Sequence, residues 1–197
     1  MSSAASDVYK RQYLSFDLYQ KIFAQEKDSE VVIIDIDEQS LGKFGQFPWN
    51  RTVFAKILDQ LNTANPKAIG FDIFFTEKDK QSPEEIIKSY DLIPSDITEL
   101  QKLKGPDDLF AEKLKESKSV IAVLGSNVPS HSNYNRKAKA RFLSKGGEPK
   151  QFTYSYPFSI GSLEKLEKNV QGLGSISFLD QLDGIIRSLP LIVQFNK

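Results

Sequence analysis

The sequence predicts an α/β fold: a βαβαβ, mostly parallel sheet flanked by helices and extended by an antiparallel C-terminal hairpin. Three observations predict it. First, the apolar runs Val31–Asp37, Ala68–Phe75 and Val120–Gly125 are rich in β-branched residues and nearly continuous, as in strands covered on both faces. Second, the stretches between them carry apolar residues at helical spacing. Third, two strand-like runs near the end flank an Asp-Gly pair, a hairpin-turn signal.

Taken in order, Leu14, Leu18, Ile22 and Phe23 predict a short helix over Tyr13–Ala24. The first strand follows at Val31–Asp37. Gly42, Gly45 and Pro48 then mark a loop. Phe54, Ile57, Leu58 and Leu61 predict a helix from about Thr52 to Ala64, stopped by Asn65-Pro66 because proline disfavours helix at the residue before it. Strand two is Ala68–Phe75, which makes a right-handed βαβ unit with the first. Pro83–Leu103 predicts one or two helices broken at Pro94. Gly105-Pro106-Asp107-Asp108 is a helix start, with proline in the first turn and acids at the positive end of the dipole. Its helix ends near Lys118 and leads into strand three. A short helix at Ser162–Lys168 and strands at Leu173–Phe178 and Ser188–Phe195 complete the set.

The 197 residues suit one domain with a real core, and 40% hydrophobic with 26% charged residues excludes a disordered chain. Lys plus Arg and Asp plus Glu both number 26, so no global field attracts nucleic acid, and none is expected as a partner. There is no cysteine, which excludes disulfides, thiolate metal sites and a cysteine nucleophile. No apolar run reaches the roughly 18–20 residues of a membrane-spanning helix. Residues 1–12 are small and polar and read as a sequence-assembly scar, leaving 13–197 as a single domain.

Four segments in order resemble the CHASE domain of the second type, CHASE2. The first is an apolar strand ending in acids with a nearby serine: Val32 to Asp37 with Glu38 and Ser40. The second is an aromatic-proline turn with arginine, Phe47-Pro48-Trp49-Asn50-Arg51, and the third is Ile69-Gly70-Phe71-Asp72-Ile73-Phe74-Phe75. The fourth is Asp183-Gly184-Ile185-Ile186-Arg187-Ser188-Leu189-Pro190-Leu191, and Phe16-Asp17-Leu18-Tyr19 is similar to the segment after the family's first membrane helix. Phe47 stands where a first tryptophan is common and Asn50 where proline is frequent. The resemblance implies a sensory domain outside the bacterial cytoplasmic membrane, periplasmic or extracellular, and not an enzyme in itself. It implies flanking transmembrane helices, a cytoplasmic adenylate or guanylate cyclase, histidine kinase or Ser/Thr kinase effector, and a homodimer. On that reading the chain is a sensor excised from a longer protein, and its partner is a small ligand or an ion.

The candidate site is an acidic cluster with its counter-ions: Asp35, Asp37, Trp49, Arg51, Asp72 and Arg187. Asp35 and Asp37 are two apart, so on a strand they share a face, and the carboxyl end of a parallel strand is the usual ligand crevice. With Asp72 they could hold a divalent cation such as Mg²⁺ or Ca²⁺, although no cofactor is required. The competing reading is an ion-pair network in which Arg51 or Arg187 neutralises them. Asp35 and Asp37 are also similar to the nucleophile and general acid/base of the haloacid dehalogenase phosphatases, which makes a Mg-dependent hydrolase the enzymatic alternative. Gln39 departs from that pattern, and no later strand ends in adjacent acids. A non-binding dimerisation spacer is the structural alternative.

The single His131 excludes a triad or a multi-histidine metal site. Residues 131–150, with Tyr134, Arg136, Lys137, Lys139, Arg141, Phe142, Lys145 and Lys150, predict a mobile solvated loop. Gly172, Gly174 and Gly184 predict turns or bulges, and Trp49 a core anchor that fixes the turn.

Overall fold

The computed structural model describes residues 3–23, 30–129, 135–143, 145–148, 151–178 and 185–195. The chain divides into two compact units, Met1–Phe44 and Gly45–Lys197.

In the first unit, helix α1 spans Ser3–Ile22 and α2 spans Glu38–Phe44. α1 runs through residue 12 without a break. The segment expected as strand one is not a strand. Residues 30–37 are irregular, and Val31, Val32, Ile33 and Ile34 are 74%, 85%, 86% and 62% exposed. β-Branched composition describes a fit to a pleated surface, and it does not name the neighbour that must supply the ladder. α2, read as loop because of its glycine, starts because Asp37 caps it. The Asp37 Oδ1 accepts from the Ser40 N–H at 2.9 Å and the Ser40 hydroxyl at 2.7 Å.

The second unit opens on the turn and helix α3, Arg51–Thr63. Asn50 is its N-cap, accepting from the Thr52 N–H at 2.7 Å, and its buried face carries Phe54, Ala55 and Leu58. Strand β1, Ile69–Phe71, pairs in parallel with β2, Ser119–Ser126, in the register Ile69↔Ser119 to Phe71↔Ile121. Helices α4 (Pro83–Ser89), α5 (Pro94–Leu100) and α6 (Pro106–Glu116) lie between them in sequence, each with proline in its first turn. β1 is shorter than Ala68–Phe75 because the backbone changes partners. The Phe75 N–H donates to the Ser162 hydroxyl at 3.1 Å, and the Phe75 carbonyl accepts from Leu163 at 2.8 Å.

Strands β3 (Tyr154–Tyr156) and β4 (Phe158–Ile160), helix α7 (Glu164–Asn169), and strands β5 (Gly172–Ser175) and β6 (Val193–Phe195) follow. β2 is central: β1 and β5 pair with it in parallel, and β4 pairs antiparallel to its second half. The α/β class stands, but the expected C-terminal hairpin does not. β6 pairs in parallel with β3 in a separate two-stranded sheet, and β5 joins β2. Asp183-Gly184, the turn signal, lies outside the described residues. Gly172 and Gly174 are strand positions and not turns. A Cβ on them would lie 3.1 and 3.3 Å from the Val120 side chain, so glycine lets β5 approach the central strand.

The core is aromatic. Phe54, Phe75 and Phe110 are at most 2% exposed, and their ring centroids lie 5.1–5.9 Å apart. Each such ring contributes roughly 1.5–3 kcal/mol by burial. Leu58, Leu114, Ile121 and Leu166 close the cluster at 0% exposure.

Candidate functional site

The turn before α3 begins at Gly45, whose φ of 85° suits glycine. Its carbonyl accepts from the Trp49 indole N–H at 2.7 Å, and the 7%-exposed ring packs against Phe47 and Phe54. The next two residues anchor a buried polar network. Asn50 Nδ2 donates to Asp79 Oδ1 at 3.1 Å and to Gln81 Oε1 at 2.8 Å. The Arg51 N–H donates to Asp79 Oδ2 at 2.6 Å, and its Nη2 donates to the Glu77 carbonyl at 3.0 Å. The guanidinium sits 4.6 Å from the Phe75 centroid, with its Nε 3.5 Å from Asp107 Oδ1. Asp107 Oδ2 accepts in turn from the Asp79 N–H at 2.9 Å. Residues 77–82 are thereby pinned between the N-termini of α3 and α6.

Burial dominates the titration of Arg51 and Asp107. It pushes the Asp107 carboxyl up, against the Asp79 N–H and the Arg51 charge, and it pushes Arg51 down, against Asp107 and Asp79. A second buried pair has the same character. Arg136 Nε meets Glu167 Oε1 at 2.8 Å with side chains 3% and 1% exposed, and Arg136 also donates to the Ser159 carbonyl and hydroxyl at 3.1 Å. Burial raises Glu167, with Arg136 opposing. Gly161 makes room for the pair, since a Cβ there would collide with both partners. Arg136, expected in a solvated loop, is therefore a packed side chain, and His131, Tyr134 and Lys150 lie outside the described residues.

The predicted acidic cluster separates into different roles. Asp35 is exposed in the first unit, and Asp37 beside it is spent on capping α2. Its two bonds from Ser40 hold the Asp37 carboxyl below the usual carboxylate range. In the second unit Asp72 is exposed, and Arg187 donates to the Ile185 carbonyl at 3.4 Å. Arg51, expected as counter-ion to Asp35, Asp37 or Asp72, is instead engaged by Asp79 and Asp107. Among the described residues, no group of three or more His, Cys, Asp or Glu side chains could hold a metal ion. Sequence reading missed Asp79, which lies in a polar stretch without periodicity, and saw Asp107 only as a helix start.

Next to the network is a cavity of about 250 Å³. Lys78, Ser82 and Glu84 line it from the loop into α4, Asp107 and Asp108 from the start of α6, and Lys165 from α7. Lys165 Nζ meets Asp108 Oδ1 at 2.6 Å across it. The Ser82 hydroxyl, on a residue 2% exposed, has no hydrogen-bond partner.

No curated protein and no solved structure matches this chain. Among the described residues no helix is long and apolar enough to cross a membrane. The CHASE2 domain model matches residues 4–196, nearly the whole chain. The chain therefore belongs to the CHASE2 family, the sensory extracellular domains of membrane-bound signalling proteins.

Proposed function

We propose that this chain is the extracytoplasmic input domain of a bacterial transmembrane signalling protein whose cytoplasmic effector is a nucleotide cyclase or a protein kinase. The observation that carries the reading is the family match over residues 4–196. The domain works as a homodimer, because a twofold interface is the commonest way to couple two effector chains. A ligand or ion binds one of two arrangements of the domain more tightly and shifts the population of the other; equal affinity for both would transmit nothing. The buried Arg51–Asp79–Asp107 network supports this as a rigid seam joining two helix starts to one loop.

The lack of cysteine in this chain makes its location testable. Lys102→Cys, at an exposed position, is introduced into the full-length protein and treated in intact cells with a membrane-impermeant maleimide. Labelling above that of the protein without the substitution is expected. Labelling only after lysis would put the domain in the cytoplasm and sink the reading.

A further inference from the structure

We propose that the basic loop ahead of β3 docks on the anionic surface of a phospholipid bilayer, with Phe142 and Leu143 entering the boundary between headgroups and acyl chains and Lys137, Arg141 and Lys145 meeting lipid phosphates. The proposed extracytoplasmic location decides only which leaflet the loop would meet, the outer one. The binding itself does not rest on that reading.

Residues 136–147 carry five basic side chains and no acidic one, in a chain whose formal charge is +0, so the positive charge is local. The stem of this loop is anchored on α7: Arg136 Nε meets Glu167 Oε1 at 2.8 Å, and Lys139 Nζ donates to the Lys168 carbonyl at 2.9 Å. Around that stem the side chains stand in solvent. Phe142 is 61% exposed and Leu143 fully so at 101%. Lys137, Arg141 and Lys145 are exposed and make no ion pair among the described residues. The acids of α7 are already committed, Glu167 to Arg136 and Glu164 to Lys168 at 2.7 Å. Gly146, at a φ of 93°, then turns the chain, and a Cβ on Gly147 would lie 4.0 Å from the ring of Phe152, itself 82% exposed. Apolar and cationic groups thus share one short loop. A soluble anion would pair with the cations and leave Phe142 and Leu143 in water. An apolar protein groove would bury those two and desolvate the cations beside them. A bilayer interface accepts both at once, the apolar side chains at the acyl boundary and the cations, on their long stems, among the phosphates.

The test is flotation of the 197-residue chain with vesicles of phosphatidylcholine alone and of equal parts phosphatidylglycerol and phosphatidylcholine. Flotation with the anionic vesicles only is expected, weakening as salt is raised. The triple variant Lys137→Gln/Arg141→Gln/Lys145→Gln should lower the partition constant by about tenfold or more. Phe142→Ser/Leu143→Ser should lower it by a similar factor. Both variants should melt as the parent does, because the altered side chains are exposed. Glycerol phosphate, the soluble headgroup, should release no more protein than sodium chloride of equal ionic strength. Flotation that is absent, or equal with both kinds of vesicle, would overturn the proposal, as would undiminished flotation of either variant. Extra release by glycerol phosphate would overturn it by showing a site for a soluble anion, and a lower melting temperature of either variant by showing that these side chains pack on the domain. None of these results would alter the maleimide labelling, and a cytoplasmic label would leave the flotation standing.

Discussion

Glu167 and Arg136 show what a buried charge costs when its partner leaves. Burial already favours the protonated Glu167, so its contribution to stability is greatest below the ordinary glutamate value and is lost as pH rises through the raised folded value. Arg136→Met strands the carboxylate and should destabilise the fold by about 3 kcal/mol at neutral pH. The loss should shrink on acidification, because Glu167 can then take up a proton. The double variant Arg136→Met/Glu167→Met should recover much of the stability, since an apolar pair of similar volume often replaces a buried ion pair. Urea unfolding at two pH values measures all three, and a deficit in Arg136→Met that grows on acidification would contradict this account. Such pairs were not legible in the sequence. Arg136 and Glu167 are 31 residues apart, and Arg51 and Asp79 are 28 apart. Neither separation leaves a periodic trace. What was legible was local: Asn50-Arg51 as a turn, and Asp107 at a helix start.

At the scale of elements, helices were readable because their signals are local, whereas strand partners were not. Asn65-Pro66, Pro94 and Gly105-Pro106 each marked a helix boundary within a residue or two. Pairing depends on distant chain, and here small residues decide it. Gly125 in β2 lies under the ring of Tyr156, so a Cβ there would overlap the ring, whereas a Cβ on Gly70 in β1 would meet nothing within 4 Å. Gly125→Ala should therefore cost about 1–3 kcal/mol by overpacking. Gly70→Ala should be close to neutral. Equal shifts in the urea midpoints of the two variants would show that Tyr156 does not hold this position. Val31–Ile34 is the converse case: its composition specifies extended backbone, and no local signal specifies a partner.

The whole molecule carries its core on one side of residue 45. Among the described residues, every buried hydrophobic side chain, from Trp49 to Val170, belongs to the second unit. A chain shortened to residues 45–197 should therefore unfold cooperatively with a urea midpoint close to that of the parent. A non-cooperative transition would show instead that the second unit needs residues 1–44 in order to fold.

The indole bond to Gly45 has a spectroscopic consequence. Trp49 is the sole tryptophan, and its ring is shielded beside the residues that open the Arg51 network. Its fluorescence is a single-site signal, free of overlap from other indoles. Any rearrangement that pulls the turn away from α3 would expose the ring to water and move its emission to longer wavelength, so the native protein needs no added dye to report a change at this seam.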